Sequence, residues 1–407
     1  MSESNEQQLF FEDPKILPED KQGVFHWFPF HAAFSSRFVH SVLEYELSLN
    51  SNLTLFDQFL GSGTTAVVSK LLGVDFWGSD VNSFLVKLAQ TKVITSLVKH
   101  QATSILDEVC LNYKPLPLNQ TPEVEVMSDQ AKCKLFGLKQ TIENSNISGD
   151  QKKWLLTSLL LITREMVGEQ RGTNPTWPKS YGGAEDKELI PLFREKALTL
   201  LQDIQTMAYQ SSSVIITLAD AKNLPYESDK FDLNITSPPY LSRIDYVINT
   251  LPEIILTQGA SKEDIYQLRK EVMGGVVINK KGENNPNWGK ECLKVLQNIQ
   301  EHPSKSSANY YYWTYYDYFH DLWETLKETK RVLKKKGRAY WVVQTSYYKE
   351  IELDLPKIII QMGSSLDMKG EIVREKEVKN HLGNLHPDQR RRVPNKVLRE
   401  SVIRLIK

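Results

Sequence analysis

The chain has 407 residues, with 50 Lys+Arg against 50 Asp+Glu, and 41% of it is hydrophobic. A zero formal net charge argues against unspecific binding to a polyanion and leaves room for a local basic face. The longest apolar stretch, "WLLTSLLLIT" (Trp154–Thr163), is far short of the roughly 20 residues that span a bilayer. Cys110, Cys133 and Cys292 are far apart and lack CxxC spacing, so neither a disulfide framework nor a cysteine zinc site is expected.

Residues 1–23, polar and acidic at the start, read as a loosely docked leader with no signal-peptide character, which places the protein in the cytoplasm. "VFHWFPFHAAFSSRFVHSVLEYEL" (Val24–Leu47) begins loop-like and turns helical. "LTLFD" predicts a strand ending at Asp57, "QFLGSGTT" a loop, and "AVVSKLLG" a helix closed by Gly73. "VDFWGSD" predicts a second strand ending at Asp80, and Phe84–Val98 a second helix. This β-loop-α-β-α order opens a doubly wound sheet.

Residues 99–212 read as a mostly helical insertion, interrupted by a loop over 168–187 whose Gly, Pro and Asn content opposes regular structure. The strand pattern resumes at Ser213–Asp220 and again at "FDLNI" (Phe231–Ile235), followed by "TSPPY". Residues 247–308 form a second inserted region. A long helix is predicted over Tyr310–Gly337, aromatic early and basic late, then a strand at Arg338–Thr345 and a helix at Asp354–Ser365. Lys369–Val378 and Arg399–Lys407 make a closing strand pair around a basic loop. The chain thus divides into a first half (1–98), a mostly helical insertion (99–212) and a second half (213–407) that carries "TSPPY" and the inserted region 247–308.

Gly61 and Gly63 let backbone approach a ligand closely, but the loop is not GxGxxG and lacks a P-loop lysine. An acid before the glycines suits a cationic ligand better than a pyrophosphate. Asp80 lies where dinucleotide folds hold ribose hydroxyls, and Asp220 could accept from an adenine amine. One ligand combines an amino-acid cation, a ribose and an adenine: S-adenosylmethionine. In "TSPPY", Pro238 and Pro239 remove two N–H donors and stiffen the backbone, Ser237 adds a hydroxyl, and Tyr240 adds a flat ring. An aromatic amine could stack on that ring and donate to these acceptors, with its lone pair aimed at a methyl donor.

These residues resemble the S-adenosylmethionine-dependent amino-methyltransferases that act on DNA. "FDQFLGSGTT" resembles their cofactor loop, with Gln58 where proline is usual, and "TSPPY" resembles their (Asp/Asn/Ser)-Pro-Pro-(Tyr/Phe/Trp) motif. "HWFPFHAAFSSRFV" resembles the segment that packs on the methionine end of the cofactor, and "RESVIRLIK" the closing strand. The resemblance covers about half of the chain. It implies a Rossmann-like class I α/β fold with a mixed seven-stranded sheet. It also implies a cofactor pocket of Phe30, Asp57, Phe59, Gly61, Gly63, Thr64, Asp80 and Asp220, and a base held by Ser237, Pro238, Pro239 and Tyr240. The serine form is associated with N4 of cytosine. Adenine N6, an RNA base, and an inactive cofactor- or DNA-binding subunit remain as alternatives. Carbon-5 methylation is disfavoured, because no cysteine follows a proline.

The expected partner is DNA, with no membrane. A restriction-modification or phage-defence partner is compatible with the resemblance, and the oligomeric state is open. Arg171, Lys179 and Arg243, together with Arg390, Arg391 and Arg392 of the late basic loop, are the candidate nucleic-acid contacts. No metal constellation is seen. The aromatic run Tyr310–Trp323 is read as core packing over the sheet.

Overall fold

A computed structural model describes residues 11–29, 33–172, 178–184, 187–241, 244–278, 282–378 and 397–407. The sheet strands are β1 (Thr54–Asp57), β2 (Asp75–Asp80), β3 (Val214–Leu218), β4 (Phe231–Thr236), β5 (Leu333–Gln344), β6 (Lys369–Val378) and β7 (Leu398–Ile406). They lie in the order β6-β7-β5-β4-β1-β2-β3. The strands β1 to β5 pair in parallel, whereas β7 is antiparallel to both β5 and β6. This is the Rossmann-like sheet of class I methyltransferases, as expected. Chain order reverses between β1 and β4, so the loops leaving these two neighbours diverge at the strand ends and open a crevice between them.

The helices are α1 (Ser36–Leu49), α2 (Thr64–Leu71), α3 (Ser83–Lys92), α4 (Lys99–Asn112), α5 (Asp129–Asn144), α6 (Gly149–Met166), α7 (Leu189–Gln205), α8 (Tyr246–Asn249), α9 (Leu251–Gln258), α10 (Lys262–Glu271), α11 (Gly289–Glu301), α12 (Tyr312–Val332) and α13 (Leu355–Ser365). Alternate strand residues feed two cores. Leu55, Tyr340 and Val342 pack with residues of α1, α2, α3 and the α4–α7 block, while Phe56, Trp341 and Val343 pack with α11, α12 and α13. The α4–α7 block therefore shares the core of one sheet face. Its Trp154 is buried, with Nε1 donating to the Ala197 carbonyl at 2.8 Å.

Several elements differ from the sequence reading. The second helix stops at Lys92, because the β-branched run after it is a poor continuation. The long helix ends at Val332, and Lys334–Gly337 instead form an irregularity inside β5, with Lys336 at φ 67°. A short ladder pairs Gln170–Arg171 with Pro178–Ser180 inside the segment read as a loop. The leader is firmly docked from Phe11 onward. The Phe11 ring meets Tyr45 and Tyr340 edge-on, its carbonyl accepts from Arg374, and Asp13 pairs with Lys376. The aromatic run packs as expected: Tyr315, Tyr318, Phe319 and Leu322 are buried against the sheet. Among the described residues, no helix is long and apolar enough to cross a membrane.

Candidate active site

The glycine loop follows β1 and "TSPPY" follows β4, its adjacent partner. Both reach one cavity. Phe59, Gly61, Thr64, Asp80, Asp220, Ser237 and Pro239 all contribute to its wall. Leu85, Val247, Leu268 and Met273 give it apolar faces, the last three from the inserted region after β4.

Asp80 ends β2 with its carboxylate held by backbone donors. Gly61 N–H donates to Oδ2 and Asn82 N–H to Oδ1, each at 2.9 Å. Burial pushes its acidity constant up to about 6, against those hydrogen bonds, so the group is ionised at neutral pH with lone pairs to spare. Asn82 then caps α3 by accepting from Phe84 N–H at 3.1 Å. Asp220 lies two residues beyond the end of β3, not at its last position. Its carboxylate accepts from the Lys222 backbone at 2.9 Å and lies 3.3 Å from the Lys222 ammonium, which also pairs with Asp321.

Asp57 is not on the cavity wall. It is 1% exposed and sits beneath the loop. Thr236 and Thr65 donate their hydroxyls to it at 2.6 and 2.8 Å, and Phe59 N–H at 3.1 Å. Burial lifts its acidity constant to about 6, against these donors. Asp57 thus ties the threonine of "TSPPY" to the glycine loop and the first turn of α2. Gly63 is also off the wall. Its φ is 87°, and a Cβ there would meet the Ala89 Cβ at 2.7 Å, so this glycine serves the close approach of the loop to α3.

In the Ser-Pro-Pro-Tyr segment, Pro238 is buried, while Ser237, Pro239 and Tyr240 are half-buried. The Ser237 hydroxyl donates to the Val342 carbonyl at 3.0 Å and lies 3.4 Å from the Tyr240 hydroxyl. The Pro239 carbonyl is taken by the Tyr318 hydroxyl at 2.8 Å. Tyr318 comes from the aromatic run that sequence reasoning assigned to packing alone, and nothing local marks it as an anchor 79 residues from its partner.

Tyr240 faces a second cavity, together with Val342, Glu400 and the strap of residues before α1. The two cavities share Ala33, Phe34, Ser62 and Thr64, so they adjoin at the Ser-Pro-Pro-Tyr segment. Phe30, Arg243, Arg390, Arg391 and Arg392 lie outside the described residues. Arg171 is not a solvent-facing contact: its guanidinium pairs with Glu169 and donates to the Asn249 side chain at 2.8 Å and carbonyl at 3.2 Å. Lys179 is exposed. Among the described residues, no cluster of His, Cys, Asp and Glu is arranged to hold a metal ion.

No family model matches the chain. The chain is 24% identical over 299 residues to the Type II methyltransferase M.BsoBI of Geobacillus stearothermophilus, an alignment covering 64% of this chain and 57% of that protein. It therefore covers less than two thirds of that relative's length. It is also 24% identical over 392 residues to the Type II methyltransferase M.AvaI of Anabaena variabilis, covering 85% and 79%. A third relative, the Type II methyltransferase M.MvaI of Kocuria varians, is 24% identical over 346 residues, covering 76% and 73%. The rRNA methyltransferase aviRa from Streptomyces viridochromogenes aligns with 94% of this chain and 89% of its own at a TM-score of 0.32 and 12% identity, a likeness too loose to argue from.

Proposed function

We propose that this protein is an S-adenosylmethionine-dependent DNA methyltransferase that acts on the exocyclic amine of a flipped base, with N4 of cytosine preferred. One observation carries the reading. The glycine loop and Ser-Pro-Pro-Tyr leave adjacent parallel strands and wall one cavity with Asp80 and Asp220. The similarity to Type II methyltransferases supports it.

The cavity suits the cofactor by its chemistry. Asp80 would accept from ribose hydroxyls, and the apolar faces of Leu85, Val247 and Met273 would flank the adenine, with Asp220 as its acceptor. When bound, the cofactor supplies an electrophilic methyl group on a sulfonium. The protein's own part is mainly positioning. The Ser237 hydroxyl and a carbonyl of the Ser237–Pro238 segment would accept from the amine, and Tyr240 would stack on the ring. Tyr318 would fix the segment through Pro239. The proton lost from the amine can leave after transfer, so no strong base is required. A base in a duplex must first be turned out of the stack. In this reading residues 1–98 and 213–407 carry the catalytic unit, and the elements that read nucleic acid sit in 99–212, in 247–308 or in both.

The test is incubation of purified protein with labelled S-adenosylmethionine and DNA, followed by nuclease digestion and mass spectrometry. N4-methylcytosine is expected. N6-methyladenine would replace the base assignment, label in structured RNA alone would replace the substrate, and cofactor binding without turnover on any nucleic acid would make the chain a binding subunit.

A further inference from the structure

The second cavity is walled by Tyr240 and Val342 on one side and, among others, by Pro14, Ile16, Asp20, Phe25 and Phe28 of the strap on the other. Two carboxyl groups face it, and they differ in state. Asp20 is committed: it accepts from Arg37 Nε at 2.8 Å and from Leu17 N–H at 2.7 Å. Glu400, on β7 opposite Gln344, is half-buried, and its carboxyl makes no hydrogen bond to a described side chain. It lies on the strand next to β5, whose Val342 carbonyl receives the Ser237 hydroxyl. A half-buried carboxyl that lines a cavity beside the Tyr240 ring can offer a hydrogen bond to a ligand there.

We propose that this cavity holds the target base and that Glu400 reads its edge, donating a carboxyl O–H to the ring nitrogen beside the exocyclic amine. The inference rests on the methyltransferase reading for the identity of the ligand. The ligand class is the amine-next-to-imine-nitrogen edge that cytosine and adenine share. On the Watson–Crick edge the corresponding ring nitrogen of thymine (N3) and of guanine (N1) carries an N–H and offers no acceptor. With its ring on Tyr240 and its ring nitrogen on Glu400, such a base would direct its amine towards Ser237, at the junction with the cofactor cavity.

The electrostatics agree. Burial first, and the Asp13 carboxylate second, push the Glu400 carboxyl up to about 7, against Lys376, Arg374 and Lys15. Of these opposing cations, Lys376 and Arg374 are drawn to Asp13. The other titratable groups around the cavity are Asp20, Lys21, His26 and Tyr240, and Arg399, the neighbour on β7, is engaged by Glu352 and Asp354. Glu400 can therefore carry a proton near neutral pH, as a donor must.

Saturation-transfer NMR on the full chain, with deoxycytidine, deoxyadenosine and thymidine as probes, tests this without turnover. Deoxycytidine, deoxyadenosine or both should bind the wild type in preference to thymidine. Glu400→Ala should weaken that binding about tenfold, the effect of one lost hydrogen bond, and Glu400→Gln, which keeps an N–H donor, should restore most of it. Wild-type binding should weaken as pH rises through about 7, and binding by Glu400→Gln should not. No nucleoside binding by the wild type, or equal binding by Glu400→Ala, overturns the proposal. Glu400-dependent binding without methyl transfer to any nucleic acid would sink the enzymatic reading and leave this one standing. Methylated DNA with Glu400-independent binding would do the reverse.

Discussion

Gln58 and Asn234 are joined side chain to side chain at 2.7 Å, across the seam between β1 and β4. Asn234 also donates to the Phe56 carbonyl at 2.9 Å and accepts from Trp341 Nε1 at 2.7 Å, while Gln58 donates to Thr329 at 3.1 Å. All four side chains are fully or almost fully buried. The network explains why a glutamine serves where the resembling cofactor loops carry proline: it clamps the loop to α12. Asn234→Ala strands both the Trp341 N–H and the Gln58 carbonyl, and should lower unfolding free energy by about 3 kcal/mol, at the upper end for unmet buried polar groups. Urea titration followed by tryptophan fluorescence reads this. A loss below about 0.5 kcal/mol would mean that the network contributes little.

Gly63 offers a second check on the loop. Its positive φ and the 2.7 Å approach to Ala89 are separate obstacles to a side chain. Gly63→Ala should therefore destabilise the protein by roughly 1–3 kcal/mol and weaken cofactor binding. Adding Ala89→Gly removes the clash but not the strained backbone, so the double variant should recover only part of the loss beyond the separate cost of Ala89→Gly alone. Full recovery in thermal melts would show that the backbone conformation is not a constraint.

The order of strands and the two key loops were legible in the sequence because both signals are local. Strand residues alternate between cores, glycines mark the turn, and the proline pair marks the loop after β4. The closing strand pair was legible for the same reason. What escaped was long-range. Asp57 reads as a ligand-facing acid until Thr236 arrives beside it from 179 positions away. Arg171 reads as a free basic residue until Asn249 meets it. Glu400 sits in a strand whose alternation shows only that one face is buried, with no sign that the cavity beyond Tyr240 lies there.

Asp80 should show opposite pH effects on stability and on binding. Its folded acidity constant of about 6 exceeds the ordinary aspartate value of 3.8, so the folded chain holds the proton more tightly than the unfolded chain does. Its contribution to stability is complete below the unfolded value and is lost as pH rises through about 6. Wild type should therefore gain in melting temperature on Asp80→Asn as pH is lowered from about 7 to about 4. Cofactor affinity, which needs the ionised acceptor, should fall over the same interval in wild type. Calorimetric titration at several pH values measures it, and a pH-independent affinity would remove Asp80 from the ribose role.

Cofactor holding and base holding should separate by mutation. Asp80→Ala is expected to weaken S-adenosylmethionine binding about tenfold or more. Ser237→Ala, Tyr240→Ala and Tyr318→Phe are expected to lower turnover while leaving cofactor affinity within about twofold. Tyr318→Phe is the subtlest, since it removes only the hydroxyl that holds the Pro239 carbonyl. Equal loss of cofactor affinity across all four variants would contradict the division of labour between the two loops.

Arg171 and Lys179 should part company when DNA binding is measured against salt. Arg171 is held by Glu169 and Asn249, and nearby Arg164 pairs with Glu253 and lies over the Phe28 ring at 4.3 Å. Together these arginines join the insertion to the region after β4 and to the strap. Arg171→Ala would leave the buried Glu169 without its cation, so it should lower thermal stability, with little change in the salt slope of DNA binding. Lys179 is exposed on the same short ladder. If it neutralises a phosphate, Lys179→Ala should leave stability unchanged and reduce the slope of log K against log salt by about 0.9. The converse pattern, a changed slope for Arg171→Ala and none for Lys179→Ala, would mean that the ladder turns its other face to the nucleic acid.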